Sequence, residues 1–292
     1  MAVNLPLVSV LMTAYNREKY IAEAIESVLS STYTNFELII VDDCSSDNTY
    51  TIASHYLKTD VRIKLYKNDF NLGQFANRNK AINLSQGLYI KFLDSDDKIM
   101  QNGLELMVKS MLAFPNAGLG VPAKEAFKNN LPYQLSLSES VALHYCGENH
   151  LCYGPTGTIF KREAIINVGL FEVKYGILTD TLLNIKIASL YNTVLFENDL
   201  FYWRRHDDQV TAEQIDNVRM IRERNLIMKA AMVYEYLPLS KYEVKSIHNN
   251  FVKINTLHFF NYLSIGHFKE AFQVKNDTEL SLKKIFCAIF NF

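Results

Sequence analysis

The sequence predicts an α/β protein: a doubly wound, mostly parallel sheet flanked by helices, with a helical C-terminal extension. Three observations lead there. Short apolar runs of strand length alternate with segments whose apolar residues recur at helical spacing. Polar residues, several of them carboxylates, stand directly after those runs. From about Ala212 the chain reads as helix alone, rich in Tyr, Phe and Lys. Strands that alternate with helices pair in parallel, because each crossover carries the chain back to the starting edge.

The elements follow in order. Val8–Thr13 is an apolar strand, Ala-Tyr-Asn-Arg17 a turn, and Tyr20 to Leu29 a helix with Ile21, Ala24, Ile25, Val28 and Leu29 on one face. Phe36–Val41 is a buried-type strand, 42–46 a polar loop, and Asp47 can cap a helix running to about Tyr56. A third unit has its strand near Ile63–Tyr66, its loop at 68–73 and its helix over 74–84, before a fourth strand at Leu88–Leu93. The strand ends are Thr13, Asp42, Asn68 and Asp94, where a parallel sheet binds its ligand. After Phe114 the alternation weakens at Pro122, Pro132 and Pro155, resuming with 157–160 and a helix over Thr179–Leu190. Pro238 should break the terminal helices. The expected division is a catalytic domain over 1–211 and a helical region over 212–292.

A chain of 292 residues that is 49% hydrophobic can bury a large core and is too apolar for disorder. With 30 Lys+Arg against 31 Asp+Glu, nothing points to nucleic acid as a partner. Four scattered cysteines suit a reducing compartment, so the expected location is cytoplasmic. No stretch reaches the roughly 18 apolar residues of a spanning helix, and no basic residue precedes the N-terminal apolar run, so neither an anchor nor an export signal is expected. Glycine fingerprints of the dinucleotide and P-loop types are absent, which counts against a nicotinamide dehydrogenase and a P-loop ATPase.

The chemistry concentrates in Asp94-Ser95-Asp96-Asp97. Carboxylates two apart in extended chain point the same way, so Asp94 and Asp96 can face one Mg²⁺ or Mn²⁺ with phosphate oxygens completing its shell. Taken alone, the cluster reads equally as a solvated loop or a helix cap. Asp42-Asp43 ends another strand, where an Asx-type loop is the alternative. His144, Cys146, His150 and Cys152 are zinc-type ligands crowded into nine residues, for which packing is the default. In the tail, Phe259, Phe260, Leu263, Phe268 and Phe272 with Lys253 and Lys269 could pack inward, dimerise, or lie on a membrane.

Four blocks together resemble the glycosyltransferase family 2 enzymes, of GT-A fold. They are Val8–Asn16 with Tyr20–Ser27, then Phe36–Asp47, then Asn71-Leu-Gly73 through Asp97, and last 157–162 with 168–172 and Thr179-Asp180. The resemblance implies that Thr13, Tyr15 and Asp42 hold the nucleoside, Asp42 accepting from the base's imide N–H. It places Asn16, Asp43 and Ser95 in the same nucleotide-sugar site and Arg78 near the base or diphosphate. Asp94 would lie by the ribose or metal and Asp96 on the metal, with His206, from the segment Phe201–Thr211, completing that site. Asp180 would be the catalytic base, although Thr179 stands where the family often has Glu.

The implied activity is inverting transfer of a sugar from a nucleotide-diphosphate sugar, with UDP favoured, to a hydroxyl of a saccharide or lipid-linked saccharide. That would serve cell-surface polysaccharide or lipid-linked oligosaccharide synthesis, using Mn²⁺ or Mg²⁺. The alternatives are a non-catalytic nucleotide-sugar-binding descendant and a sugar nucleotidyltransferase. Peripheral contact with the inner face of the plasma membrane through the C-terminal helices, and a homodimer, are the further partners considered.

Overall fold

Apolar runs and helical periods resolve into alternating elements in the computed structural model, which describes residues 5–206 and 217–290. β1 (Val8–Ala14), β2 (Phe36–Asp42), β3 (Ile63–Lys67) and β4 (Tyr89–Phe92) are the four expected strands. Between them run α1 (Ile21–Leu29), α2 (Thr49–Tyr56) and α3 (Gln74–Leu84). On α1 the side chains of Ile21, Ala24, Ile25 and Val28 are buried, the i, i+3, i+4, i+7 stripe that one helix face presents to a sheet. They meet Val10, Met12 and Ile40 in the main core, where full burial of each large aliphatic side chain is worth about 1.5–3 kcal/mol.

Further along come β5 (Lys98–Ile99), α4 (Gly103–Ala113), β6 (Ala117–Pro122), β7 (Tyr133–Leu135) and α5 (Leu137–Leu143). They are followed by β8 (Ile159–Lys161), α6 (Arg162–Asn167), α7 (Thr179–Leu190), β9 (Asn192–Phe196) and β10 (Phe201–Tyr202). The eight-stranded sheet has the order β3-β2-β1-β4-β8-β6-β9-β7, and β5 pairs with β10 apart from it. β1 is parallel to both β2 and β4, β2 to β3, and β6 to β9. β8 runs antiparallel to β4 and β6, and β7 to β9. The chain leaves β1 toward β2 and returns on its other side as β4, so the strand order switches at β1 and a crevice opens at those strand ends.

The region read as irregular after Phe114 contains β6, whose Ala-Gly-Leu-Gly-Val-Pro sequence lacks the usual signature of a strand. Its glycines are required by close packing. A Cβ on Gly118 would stand 2.5 Å from the Tyr191 Cβ, and one on Gly120 would stand 2.7 Å from the Ile159 Cγ2.

The chain divides into two units, Met1–Lys174 with Thr179–Arg205, and Tyr175–Leu178 with His206–Phe292. The boundary expected at 211/212 lies outside the described residues. The second unit is α8 (Asn217–Met232), α9 (Lys241–Ser264), α10 (Phe268–Asp277) and α11 (Leu282–Phe290). Pro238 falls between α8 and α9, and Ser240 starts α9 with a capping box to Glu243. Val218, Ile221, Phe259, Ala271, Val274 and Ile285 form this unit's own core. Among the described residues no helix is long and apolar enough to cross a membrane.

Candidate active site

Two neighbouring carboxylates at the end of β2 do different work. Asp42 is 1% exposed; its Oδ2 accepts from the Ser45 N–H at 3.1 Å, while its buried Oδ1 has no partner. Asp43 is fully engaged. Its Oδ1 accepts from Asn68 Nδ2 at 2.6 Å and the Leu72 N–H at 2.8 Å, and its Oδ2 from the Gly73 N–H at 2.9 Å. Asp43 therefore shapes the 68–73 loop, in which Gly73 has φ 83°, a conformation that glycine adopts without penalty.

The loops after β1 and β2 brace one another. Asn16, in the left-handed region at φ 52°, donates its N–H to Ser45 Oγ at 3.0 Å and accepts from the Ser46 N–H at 2.9 Å. The Arg17 N–H donates to Thr49 Oγ1 at 2.7 Å, and the Glu18 N–H to Asp47 at 3.0 Å. Thr13 lies opposite Val41 in register, and the Tyr15 side chain is exposed beyond it. These bonds pre-order the two loops that follow β1 and β2.

At the end of β4 the chain turns at once, the Asp97 N–H bonding the Asp94 carbonyl at 2.9 Å. The extended geometry expected for Asp94 and Asp96 is thus replaced by a turn, and the two carboxylates meet different cations. Asp94 Oδ1 accepts from Arg78 Nη2 at 2.6 Å, and Asp96 Oδ2 from Arg17 Nε at 3.0 Å. Ser95 between them is buried. Asp97 Oδ1 accepts from the Arg204 N–H at 3.0 Å, and Arg204 Nε donates to the Asp96 carbonyl at 2.9 Å. Burial pushes the Asp97 carboxyl up to about 7, and the Asp94 charge adds to the effect.

Below this turn lies a lysine that the sequence reading passed over. Lys91 is 0% exposed and donates to the Thr156 carbonyl, while the Thr156 hydroxyl accepts from the Asp94 N–H at 3.1 Å. Burial pulls the Lys91 ammonium down to about 7 against the opposing charges of Asp94 and Asp97.

A divalent cation fits the donors present. The Asp94 side chain keeps 34% of its surface exposed and has only Oδ1 bonded, while Asp96 supplies a second hard oxygen donor. Among the described residues no group of three or more His, Cys, Asp and Glu is arranged to hold a metal, so nucleotide phosphates would have to complete the shell. His206 opens the second unit, whereas both aspartates belong to the first.

Asp180 sits in the first turn of α7, its Oδ1 accepting from the Thr181 N–H at 2.7 Å. Burial pushes its carboxyl up to about 6, partly countered by the Arg78 guanidinium. A Cβ on Gly154 would stand 3.8 Å from its Oδ2, so glycine leaves room beside that oxygen. Arg78, 2% exposed, is paired with the expected metal carboxylate Asp94, and its charge acts on the expected base Asp180. With its amide oxygen turned inward, Gln74 accepts from the same guanidinium at 2.9 and 3.1 Å. Thr179 is buried and gives its hydroxyl to the Glu172 carbonyl. The Glu172 carboxylate is paired with Lys186 and Lys174.

The His/Cys cluster separates by burial. His144 and His150 are buried, Cys146 and Cys152 exposed. Burial pulls the imidazoles down to about 3 and about 4, as for packed neutral rings, and His150 Nε2 lies 3.1 Å from Ser140 Oγ.

Residues 9–169, more than half of the chain, match the family described as glycosyl transferase family 2. The chain belongs to that family. TuaG of Bacillus subtilis, named for teichuronic acid biosynthesis, is 41% identical over 124 residues, which are 41% of this chain and 49% of TuaG. WfgD of Escherichia coli, named as a UDP-Glc:alpha-D-GlcNAc-diphosphoundecaprenol beta-1,3-glucosyltransferase, is 44% identical over 106 residues, 36% of this chain and 41% of that one. The matched segments thus span less than half the length of either relative. S. aureus TarS in complex with UDP-GlcNAc shares the fold with a TM-score of 0.71 at 19% identity, over 97% of this chain and 81% of that one. A Pyrobaculum calidifontis mannosyltransferase in complex with GDP-Man and Mn²⁺ matches with a TM-score of 0.62 at 18% identity, over 98% of this chain and 79% of that one.

In this family 2 chain, the groups that the sequence reading missed are the cations and hydroxyl behind the carboxylates: Arg17, Lys91, Arg204 and Thr156. Lys91 had a signal, being the one charge inside the apolar run Leu88–Leu93.

Proposed function

We propose that this chain is an inverting hexosyltransferase that moves a sugar from a UDP-sugar to a hydroxyl of a saccharide or lipid-linked saccharide. The observation that carries the reading is Arg78, which ties Asp94 to the neighbourhood of Asp180, a carboxyl poised at about 6. A general base works best with a pKa near the operating pH.

Asp42 offers one free buried oxygen. That matches the single imide N–H of uracil better than the N–H and amino pair of guanine, which needs two acceptors. Thr13, Tyr15, Asn16 and Ser95 flank the nucleotide-sugar; Asp43 acts by shaping the 68–73 loop. Asp94 and Asp96 would hold Mn²⁺ or Mg²⁺. When bound, the ion neutralises the departing diphosphate.

The acceptor oxygen attacks the anomeric carbon as its proton passes to Asp180. The bond from that carbon to the diphosphate oxygen breaks on the opposite side, which inverts the configuration. Asp180 needs no support from Glu172, whose charge is already committed to two lysines.

The name of WfgD supports a lipid-linked acceptor, and the exposed Phe268, Phe272 and Phe286 of α10 and α11 support peripheral membrane contact in preference to a homodimer. Four unpaired cysteines support the cytoplasmic side.

Thermal shift with UDP and GDP, with and without Mn²⁺, tests the donor site. Mn²⁺-dependent stabilisation by UDP, lost in Asp96→Ala, is expected. No response to either nucleotide would overturn the donor site.

A further inference from the structure

The second unit contains a cleft of about 430 Å³ lined by Met232, Leu239, Lys241, Val244, Lys245 and His248. Sugar transfer as described above does not require it. Positions 241, 244, 245 and 248 recur at i, i+3, i+4 and i+7, so they share one face of α9. Met232, Leu239 and Val244 supply apolar walls, Lys241 and Lys245 supply cationic ones, and His248 adds a polar ring.

These three basic groups have no carboxylate partner among the described residues. The acids nearest in sequence are already engaged. Glu243 accepts from the Ser240 N–H at 2.8 Å and its hydroxyl at 2.6 Å, and Glu235 holds the Tyr236 hydroxyl. Residues 217–290 carry 11 Lys and Arg against 6 Asp and Glu, an excess of +5 in a chain of net −1.

A cleft with apolar walls and unpaired cations selects a ligand of matching halves. An inorganic anion would leave the apolar wall wet, and a plain hydrocarbon would leave the cations unneutralised. We propose that this cleft takes the phosphate head and the first stretch of hydrocarbon of an anionic lipid. The inference deepens the reading that the C-terminal helices meet a membrane, and rests on it. Two sources share the chemistry, a phosphodiester lipid of the bilayer and a prenyl phosphate.

Co-sedimentation of the full chain with phosphatidylcholine vesicles, with and without phosphatidylglycerol, tests it. Wild type should bind only the anionic vesicles. The double variant Lys241→Glu, Lys245→Glu and the single variant Val244→Asp should each bind at least about tenfold more weakly. Unchanged thermal transitions would show that these exposed or half-buried substitutions leave the fold intact.

Displacement from the vesicles by soluble geranyl diphosphate would show that the cleft takes a prenyl phosphate as well, and retention would assign it to the bilayer phospholipid. Wild-type binding by Val244→Asp would mean that diffuse surface charge suffices, which overturns the cleft. Wild-type binding by both variants would overturn the cleft while leaving membrane contact in place; absence of binding by the wild type would overturn both.

Discussion

Arg78 Nη2 lies 2.6 Å from Asp94 Oδ1 while its buried Nε has no partner. A guanidinium so deeply placed is held by Asp94 and Gln74 and carries its charge to Asp180. Arg78→Met should therefore damage two steps at once. Asp94 loses its orienting donor and Asp180 loses the charge that restrains its pKa. We expect Mn²⁺·UDP binding to weaken about tenfold or more, since hydrogen bonds to charged groups contribute about 1.5–3 kcal/mol. The acid limb of the pH–rate profile should also move upward. Calorimetric titration and rate profiles check the two effects separately.

Asp180 makes a pH prediction of its own. With its carboxyl at about 6, kcat should fall as pH drops through that value, because the base becomes protonated. Asp180→Asn should abolish transfer while keeping nucleotide binding. Its effect on stability has a definite sign. The folded state binds this proton more tightly than the unfolded chain, whose carboxyl titrates near 3.8, so stability falls as pH rises from about 4 to 6. The Asn variant escapes that loss. It should melt higher than wild type above pH 6 and show no such advantage below pH 4.

Asp42→Asn tests the donor base. Its buried Oδ1 lacks a partner, whereas an amide turned to keep the Ser45 bond presents N–H₂ to the imide N–H. UDP affinity should fall by one to two orders of magnitude, the cost of about 1–3 kcal/mol for facing donors. Equal binding of UDP by wild type and Asp42→Asn would remove Asp42 from the base-recognition site.

β1 and β2 were legible because each is an apolar run, and α1 because Ile21, Ala24, Ile25 and Val28 keep a 3.6-residue period. β6 was not, because Gly118, Gly120 and Pro122 lower strand propensity, and only tertiary crowding by Tyr191 and Ile159 explains the glycines. The carboxylates of the site were readable as acidic residues at strand ends. Their partners were not, since Arg204 reaches Asp97 and Glu23 across most of the first unit. The differing roles of Asp42 and Asp43 were hidden for another reason. Adjacent carboxylates look alike in sequence, and only the loop that closes on Asp43 distinguishes them.

Gly118→Ala should test the packing account of β6. Its Cβ would meet backbone-anchored Tyr191 atoms at 2.5 and 2.7 Å, so neither side can yield cheaply. A loss of about 1–3 kcal/mol is expected, read as a lower urea midpoint with an unchanged slope. Full stability in this variant would mean that β6 can shift away from Tyr191.

Lys91 should separate stability from activity. Its ammonium is fully buried with one carbonyl acceptor, and burial brings it down to about 7 from an ordinary 10.5. The unfolded chain therefore keeps this proton in the range where the folded chain gives it up. Wild-type folding carries a penalty at and below pH 7 that is relieved as pH rises toward 10. Methionine has nearly the same length and no charge to bury, and such replacements of buried ions are often neutral or stabilising by about 1–4 kcal/mol. Against this stands the Thr156 carbonyl, which loses its donor at a cost of about 1–3 kcal/mol. Lys91→Met should accordingly match or exceed wild-type stability at pH 7, with any advantage shrinking toward pH 10. The same substitution frees Thr156, whose hydroxyl anchors the Asp94 N–H, so Mn²⁺·UDP binding and transfer should both fall. Loss of stability together with activity would make Lys91 a simple packing residue; loss of activity alone marks it as a group kept for the site at the fold's expense.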